Sequence, residues 1–345
     1  MEGPAGADRA VAGDAARGRP RRGAGVLIVA VASLAAVACA SGAESAGSTG
    51  QRAAVDPPQV VARISTGRSS RPCAEVAGFG SVWITTFGTD RVLRINPRTN
   101  RVTGRIRVGN RPCGLAVGAG SVWVNGFGTN SVDRINPRRL RMTRSITVGN
   151  QPFDVLFAVG SVWTTNSGDG TVVRINPARN RIVARITTGG VPAGLTFAGG
   201  GVWVGSASGE NVFRIDPATN AVQTIAVGHP SPSWFAATED TVWVSNGGDG
   251  TVTRIDARTG AVGATVVVGQ GPSDGVVGPD GLVWVPNLRD NSISLVDPTT
   301  NTVAATIPSG PGPFVLNVGF GDVWAASWGG SNVWRLRPAP SPGSR

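Results

Sequence analysis

The chain has 345 residues, 41% of them hydrophobic, with a formal net charge of +11 at pH 7 and neither lysine nor tyrosine. That apolar content supplies a sizeable core. One histidine and three cysteines show no metal-site spacing, and no phosphate loop or dinucleotide fingerprint is present, so the commonest zinc and nucleotide classes are excluded.

Residues 1–39 read as a lipoprotein-type signal peptide. Arg17, Arg19, Arg21 and Arg22 form a basic start, Val26 to Ala38 is an uncharged apolar run, and Ala36-Val37-Ala38-Cys39 resembles the box at which such signals are cut and the cysteine acylated. An uncleaved N-terminal anchor is the alternative. Either reading exports the protein and anchors it to the membrane, on the outer face of the cytoplasmic membrane in the cell envelope. Residues 40–58, rich in Ser, Gly and Ala, read as a flexible tether.

From residue 59 to 338 one pattern repeats seven times. Trp83, Trp123, Trp163, Trp203, Trp243, Trp284 and Trp324 are spaced by 40 residues, once by 41. A proline precedes each by eleven residues, or twelve for Pro272. Each tryptophan lies in a G-S-V-W-like strand, followed by a Gly/Asn/Asp turn, a V-x-R-I-[ND]-P strand end and a fourth apolar run. Four short strands punctuated by turns make one propeller blade, and seven copies make a seven-bladed β-propeller, an all-β fold. The last copy lacks its fourth strand, whereas Val60 to Thr66 resembles a fourth strand without a blade. That N-terminal strand is expected to pair into the last blade and close the ring, which removes an open edge. Residues 339–345 read as a disordered tail.

Within the repeats, Cys73 and Cys113 occupy matching positions in the first two copies, and an exported protein permits a disulfide between them; two free thiols are the alternative. Blades 1 to 3 concentrate charge: Asp90 to Arg185 holds sixteen arginines and four acids. Arg98, Arg101, Arg105 and Arg107, then Arg138, Arg139, Arg141 and Arg144, then Arg179, Arg181 and Arg185 lie in turns and outer strands. They form a basic rim suited to an anionic partner, or a solvated face. A second set, Arg94, Arg134, Arg174, Arg214, Arg254 and Arg335, follows each tryptophan by eleven residues, with Leu295 interrupting it. Its regularity points to architecture.

Candidate ligand contacts are sought where the copies differ. Two residues after the repeat proline stand Ala74, Gly114, Asp154, Gly194, Trp234, Asp274 and Val315. Asp154, Trp234 and Asp274 depart from the small residues expected near the axis, and Glu75 lies one step further along. With His229, which takes a loop position held by Asn110 and Asn150 elsewhere, they are the channel-mouth candidates. They line a wet channel or bind a cation.

The blade pattern, as in Gly120-Ser121-Val122-Trp123-Val124 through Val132-Asp133-Arg134-Ile135-Asn136-Pro137, resembles the YVTN/YncE family of extracytoplasmic seven-bladed propellers and also virginiamycin B lyase-like propellers. The first resemblance implies a binding role, nucleic acid included. The second implies metal-dependent ring-opening elimination by histidines and glutamates, where this chain has His229 alone. Gluconolactonase-like propellers imply an axial metal centre of acids and asparagines, whose ligand set cannot be placed here. The expectation is a monomeric, non-catalytic binding scaffold without a cofactor, tethered by its lipid anchor or N-terminal segment, that holds an anionic wall polymer or a protein partner. A divalent-metal lyase or lactonase is the competing class.

Overall fold

A computed structural model describes residues 56–339. Cys39 and the stretches read from the sequence as signal peptide, tether and tail lie, before Asp56 and beyond Ala339, outside the described residues. Within them the chain forms seven four-stranded antiparallel sheets and no helix. Blade 1 runs outward from the axis as Pro72–Gly78, Ser81–Thr86, Arg91–Asn96 and Arg101–Arg107. The next five blades repeat this order. In the seventh, Pro313–Gly319, Asp322–Ser327 and Asn332–Arg337 come from the end of the repeat array. The outermost strand is Gln59–Ser65, paired antiparallel with Gln59 opposite Arg337 and Ser65 opposite Asn332. Arg63 on that strand stacks over Trp334, 4.1 Å from the ring centroid.

The tryptophan strand is buried on both faces because each sheet is covered by two neighbours. Each tryptophan packs into the following blade. Trp83 lies with Leu115, Val122 and Val124 of blade 2; Trp123 with Val155 and Val162 of blade 3; Trp324 with Val82, Ile84 and Leu93 of blade 1. The same holds for Trp163, Trp203, Trp243 and Trp284, giving one apolar cluster per blade interface. Burying a ring of this size removes on the order of 150–250 Å² from water. Most of the buried indole N–H groups are satisfied locally. Trp83 donates to the Gly78 carbonyl at 3.0 Å and Trp123 to Gly118 at 3.1 Å, while Trp284 uses the Asp280 carboxylate at 3.0 Å.

The second arginine set stands directly opposite the tryptophans in the ladder, Trp123 facing Arg134 and Trp324 facing Arg335. Arg134 stacks on Trp123 at 4.9 Å and reaches blade 3, where Nη1 donates to the Pro177 carbonyl and Asn180 Oδ1, each at 2.8 Å. Arg174 makes the equivalent reach to Pro217 in blade 4, and Arg335 to Pro97 and Asn100 in blade 1. These are clamps between successive blades. Arg94 instead donates to Thr103 within its own sheet, and Arg214 to the Gly199 carbonyl.

Candidate functional site at the channel mouth

All inner strands start at the same end of the ring, and there the loops are tied by one repeated bond. The residue before the repeat proline accepts, at its carbonyl, the N–H of the residue four after the tryptophan: Phe87 to Arg71 (3.1 Å), Phe127 to Arg111 (3.2 Å), Ser167 to Gln151 (3.1 Å) and Trp328 to Gly312 (2.8 Å), with the same bond in the other three blades. The lattice is constant and its side chains are not.

Six aromatic side chains meet on this lattice in a closed cycle. Centroid separations run Phe87–Phe127 6.3 Å, Phe127–Phe153 5.9 Å, Phe153–Trp234 5.5 Å, Trp234–Phe314 5.1 Å, Phe314–Trp328 5.8 Å and Trp328–Phe87 4.9 Å. The tilted and edge-on contacts are those favoured by the ring quadrupoles. Trp234 is buried and the other five are half-buried, so the cycle is an aromatic collar at the surface of the mouth. Sequence reasoning singled out Trp234 alone. The other members come from two further repeat positions, one after the proline and four after the tryptophan. Comparing the seven copies at the latter would have shown Phe87, Phe127 and Trp328 among Ser167, Ala207, Gly247 and Leu288.

Asp154, on the inner strand Pro152–Ala158, and Asp274, two residues before the short inner strand Val276–Val277, are partly buried, and each caps a backbone N–H of an adjoining blade. Asp154 accepts from Leu195 of blade 4 and from its neighbour Val155, both at 2.8 Å; Asp274 accepts from Phe235 of blade 5 at 3.4 Å. Such N–H groups need a partner where the inner ladder is irregular. Burial raises the Asp154 pKa to about 7 against the lowering effect of those two N–H groups. Burial, then the charge of Asp154, holds Asp274 well above the ordinary range.

Glu75 is not at the mouth. Its ladder position, opposite Ile84, is filled in other blades by Leu115, Val155, Leu195, Phe235 and Leu316. Those side chains are buried in the clusters between blades. Glu75 is 2% exposed and neither carboxyl oxygen has a hydrogen-bond partner. Burial, then Asp274, pushes its pKa well up, with a smaller opposing contribution from the Ala326 backbone. One step along a strand reverses the face, which separates Glu75 from the residues after the prolines.

His229 is also separate from the axial acids. Its Nδ1 is 2.7 Å from Asp249 Oδ2 and its Nε2 is 3.3 Å from Thr265, which lies on the outermost strand of blade 5. Asn150 to Asp169 makes the same loop staple in blade 3, whereas Asn110 reaches back to Asp90 of the preceding blade. Asp249 is held below the ordinary range: burial works against ionisation, and the contacts with His229 and Thr251 outweigh it. Glu75, Asp274 and Asp154 are near enough for charge on one to raise the next, His229 stands apart with Asp249, and among the described residues no three His, Cys, Asp or Glu side chains are placed to hold a metal ion.

Cys73 and Cys113 are joined in a disulfide with their Cα atoms 5.0 Å apart, and both are buried. It crosslinks the starts of two adjacent inner strands. On the rim, all eleven arginines of the basic sector are exposed. The outer strands Arg101–Arg107, Arg141–Thr147 and Arg181–Thr187 carry Arg101, Arg105, Arg107, Arg141, Arg144, Arg181 and Arg185, whereas the outer strands of blades 4 to 6 carry none. Among the described residues none of the eleven pairs with an acid; the ion pairs are made by His229, Arg258, Arg335 and Arg337. Arg91 even stands directly opposite Arg107, and Arg134 opposite Arg144.

No family model and no curated protein matches the chain. Among solved structures it is similar to virginiamycin B lyase from Staphylococcus aureus, with a TM-score of 0.72 and 16% identity over 81% of this chain and 99% of that one. A catalytically inactive histidine-to-alanine variant of that lyase with quinupristin gives 0.71 and 16% over the same shares. Hydrazine synthase from Kuenenia stuttgartiensis gives 0.68 and 17% over 79% of this chain and 97% of that one. At these identities the likeness is one of fold, and that fold is the seven-bladed β-propeller.

Proposed function

We propose that the protein is an exported, membrane-tethered, non-catalytic propeller that holds an anionic polymer on the outer strands of blades 1 to 3. The observation that carries this reading is the one-sided rim: seven arginines on three adjacent outer strands, none on the next three, and no acidic partner for any of them among the described residues. Like charges set directly across a ladder are destabilising, so the arrangement is a cost that an anion would offset. Export is supported by the signal-like start of the sequence and by the disulfide, which belongs to oxidising compartments. A wall polymer bearing phosphates or carboxylates suits that location; nucleic acid offers the same charge but no aromatic residues interleave with these arginines for base stacking.

The test is binding of a fluorescein-labelled linear polyphosphate followed by anisotropy. The Arg138→Ala/Arg139→Ala/Arg141→Ala variant is expected to bind at least tenfold more weakly, and Arg258→Ala on blade 5 to bind as the native protein does. Equal binding by both variants would remove the rim from the account.

A metal-dependent lyase or lactonase is the second reading, favoured by the fold likeness to virginiamycin B lyase. In that enzyme a histidine-to-alanine change accompanies inactivity, whereas the single histidine here is engaged in a rim staple. The candidate ligands do not fit a metal centre. Stoichiometric divalent metal in the purified protein, lost from an Asp154→Ala/Asp274→Ala variant, would reverse this preference.

A further inference from the structure

The mouth carries a site independent of the rim. Arg71-Pro72-Cys73 in blade 1 recurs as Arg111-Pro112-Cys113 in blade 2, and no other blade has arginine before its proline. The disulfide joins the two copies. Each arginine is therefore two residues from the crosslink, which sets the spacing between their backbones. Each is also bonded through its carbonyl to the N–H of a collar phenylalanine, Arg71 to Phe87 and Arg111 to Phe127. Two arginine–phenylalanine units thus stand side by side, and only in these two blades.

Between them lies a cleft of about 560 Å³ lined by Arg71, Phe87, Gly88, Asp90 and Arg111 together with Ser69 and Asn110, within the range of small-molecule sites, roughly 300–1,000 Å³. Gly88 forms the close approach at its base: a Cβ there would meet the Ser69 carbonyl oxygen at 2.1 Å. Asp90, the one acid of the lining, is already engaged by the Arg111 N–H at 2.9 Å and by Asn110 at 3.1 Å. Both guanidinium groups are exposed and have no carboxylate partner among the described residues. The cleft offers two unpaired planar cations beside an aromatic wall.

We propose that this cleft binds a small amphipathic anion, with a carboxylate, sulfonate or phosphate head held by Arg71 and Arg111 and a planar apolar body laid against Phe87 and the collar. Guanidinium forks suit oxyanions through paired donors, and the aromatic edges and faces suit a flat apolar group. The disulfide contributes by pre-organisation: the two arginines are held in place before the ligand arrives.

The test uses 2-naphthalenesulfonate as probe, titrated calorimetrically into the full-length protein. Ethanesulfonate supplies the head without the ring, and 2-naphthylmethylammonium the ring with the opposite charge. Arg71→Gln/Arg111→Gln introduces the residue that blade 3 carries at the same place, Gln151, in the same left-handed backbone region as Arg71 and Arg111, so the fold is retained. The affinity for 2-naphthalenesulfonate is expected to fall at least tenfold in that variant and in Phe87→Ala, and several-fold in Cys73→Ala/Cys113→Ala. The rim variant at Arg138, Arg139 and Arg141 is expected to bind it unchanged. Ethanesulfonate and the ammonium analogue are expected to bind at least tenfold more weakly than the probe. No binding of the probe at millimolar concentration, equal binding of the ammonium analogue, or unchanged affinity in the double arginine variant would overturn the proposal.

Discussion

Arg335 and Asn100 are 235 residues apart in the chain and 2.9 Å apart in the fold. The contact crosses the seam where blade 7 meets blade 1, and Arg335 also donates to the Pro97 carbonyl and to Asp322, 2.5 Å away and 2% exposed. In blades 1, 2 and 3 the position of Asp322 is held by Ser81, Ser121 and Ser161. The seam clamp alone thus adds a nearly buried ion pair to the repeated geometry.

Arg335→Leu, which installs the residue found at the matching place in blade 6, Leu295, is expected to destabilise by about 3–5 kcal/mol, because Asp322 remains buried without its closest cation. Adding Asp322→Ser should recover a large part of that loss. Urea denaturation of the three proteins checks both statements; equal stability of the single variant and the native protein would contradict the clamp.

Glu75→Leu is expected to stabilise. The carboxyl is buried with no partner where other blades place apolar side chains, and an unsatisfied buried polar group costs about 1–3 kcal/mol. A gain in Tm is the predicted readout. A loss would mean that the carboxyl has a bonding role in the seam.

Asp154 sets a pH dependence. Its pKa stands at about 7 in the folded protein against 3.8 ordinarily, so the folded chain holds a proton that the unfolded chain releases at lower pH. The stability due to this group is complete below about pH 4 and is lost as pH rises through 7. Asp274 and Glu75, raised by burial and by neighbouring acids, reinforce the trend. Between pH 5 and pH 8 the native protein should therefore lose more stability than Asp154→Asn does. Parallel curves for the two proteins would contradict the assignment.

Removal of the disulfide by Cys73→Ala/Cys113→Ala is expected to cost about 4 kcal/mol in the chain-entropy description of a crosslink, here closing a sequence separation of 40 residues. Because Cys73 and Cys113 are buried, reductant should lower the stability of the native protein only once it has been unfolded. Denaturation with and without reductant measures both effects.

Most of the architecture was legible in the sequence because the residues that build a blade must recur in every blade. The tryptophan spacing gave the blade number, and the arginines eleven residues later emerged as partners of those tryptophans. Among the described residues only Arg134, Arg174 and Arg335 reach the following blade, so the regular spacing marked the partner of each tryptophan without telling which interfaces are clamped. The mouth was less legible for the opposite reason: its collar takes Phe153 from one repeat position, Trp234 from a second and Phe87 from a third, and these converge only when the ring is assembled. Glu75 adjoins the mouth positions in sequence, yet its ladder place opposite Ile84 turns it into the seam between blades. His229 attracts notice as the sole histidine, whereas its bond to Asp249 matches the Asn150–Asp169 staple of blade 3.

The most direct test of the central claim is the salt dependence of polyphosphate binding by the native protein and the Arg138→Ala/Arg139→Ala/Arg141→Ala variant. Phosphate contacts of this kind each contribute roughly 0.7–0.9 to the slope of log affinity against log salt in nucleic-acid complexes. A steep slope is expected for the native rim, reduced by about 2 in the variant. Binding that is insensitive to salt, or an identical slope in the two proteins, would contradict it.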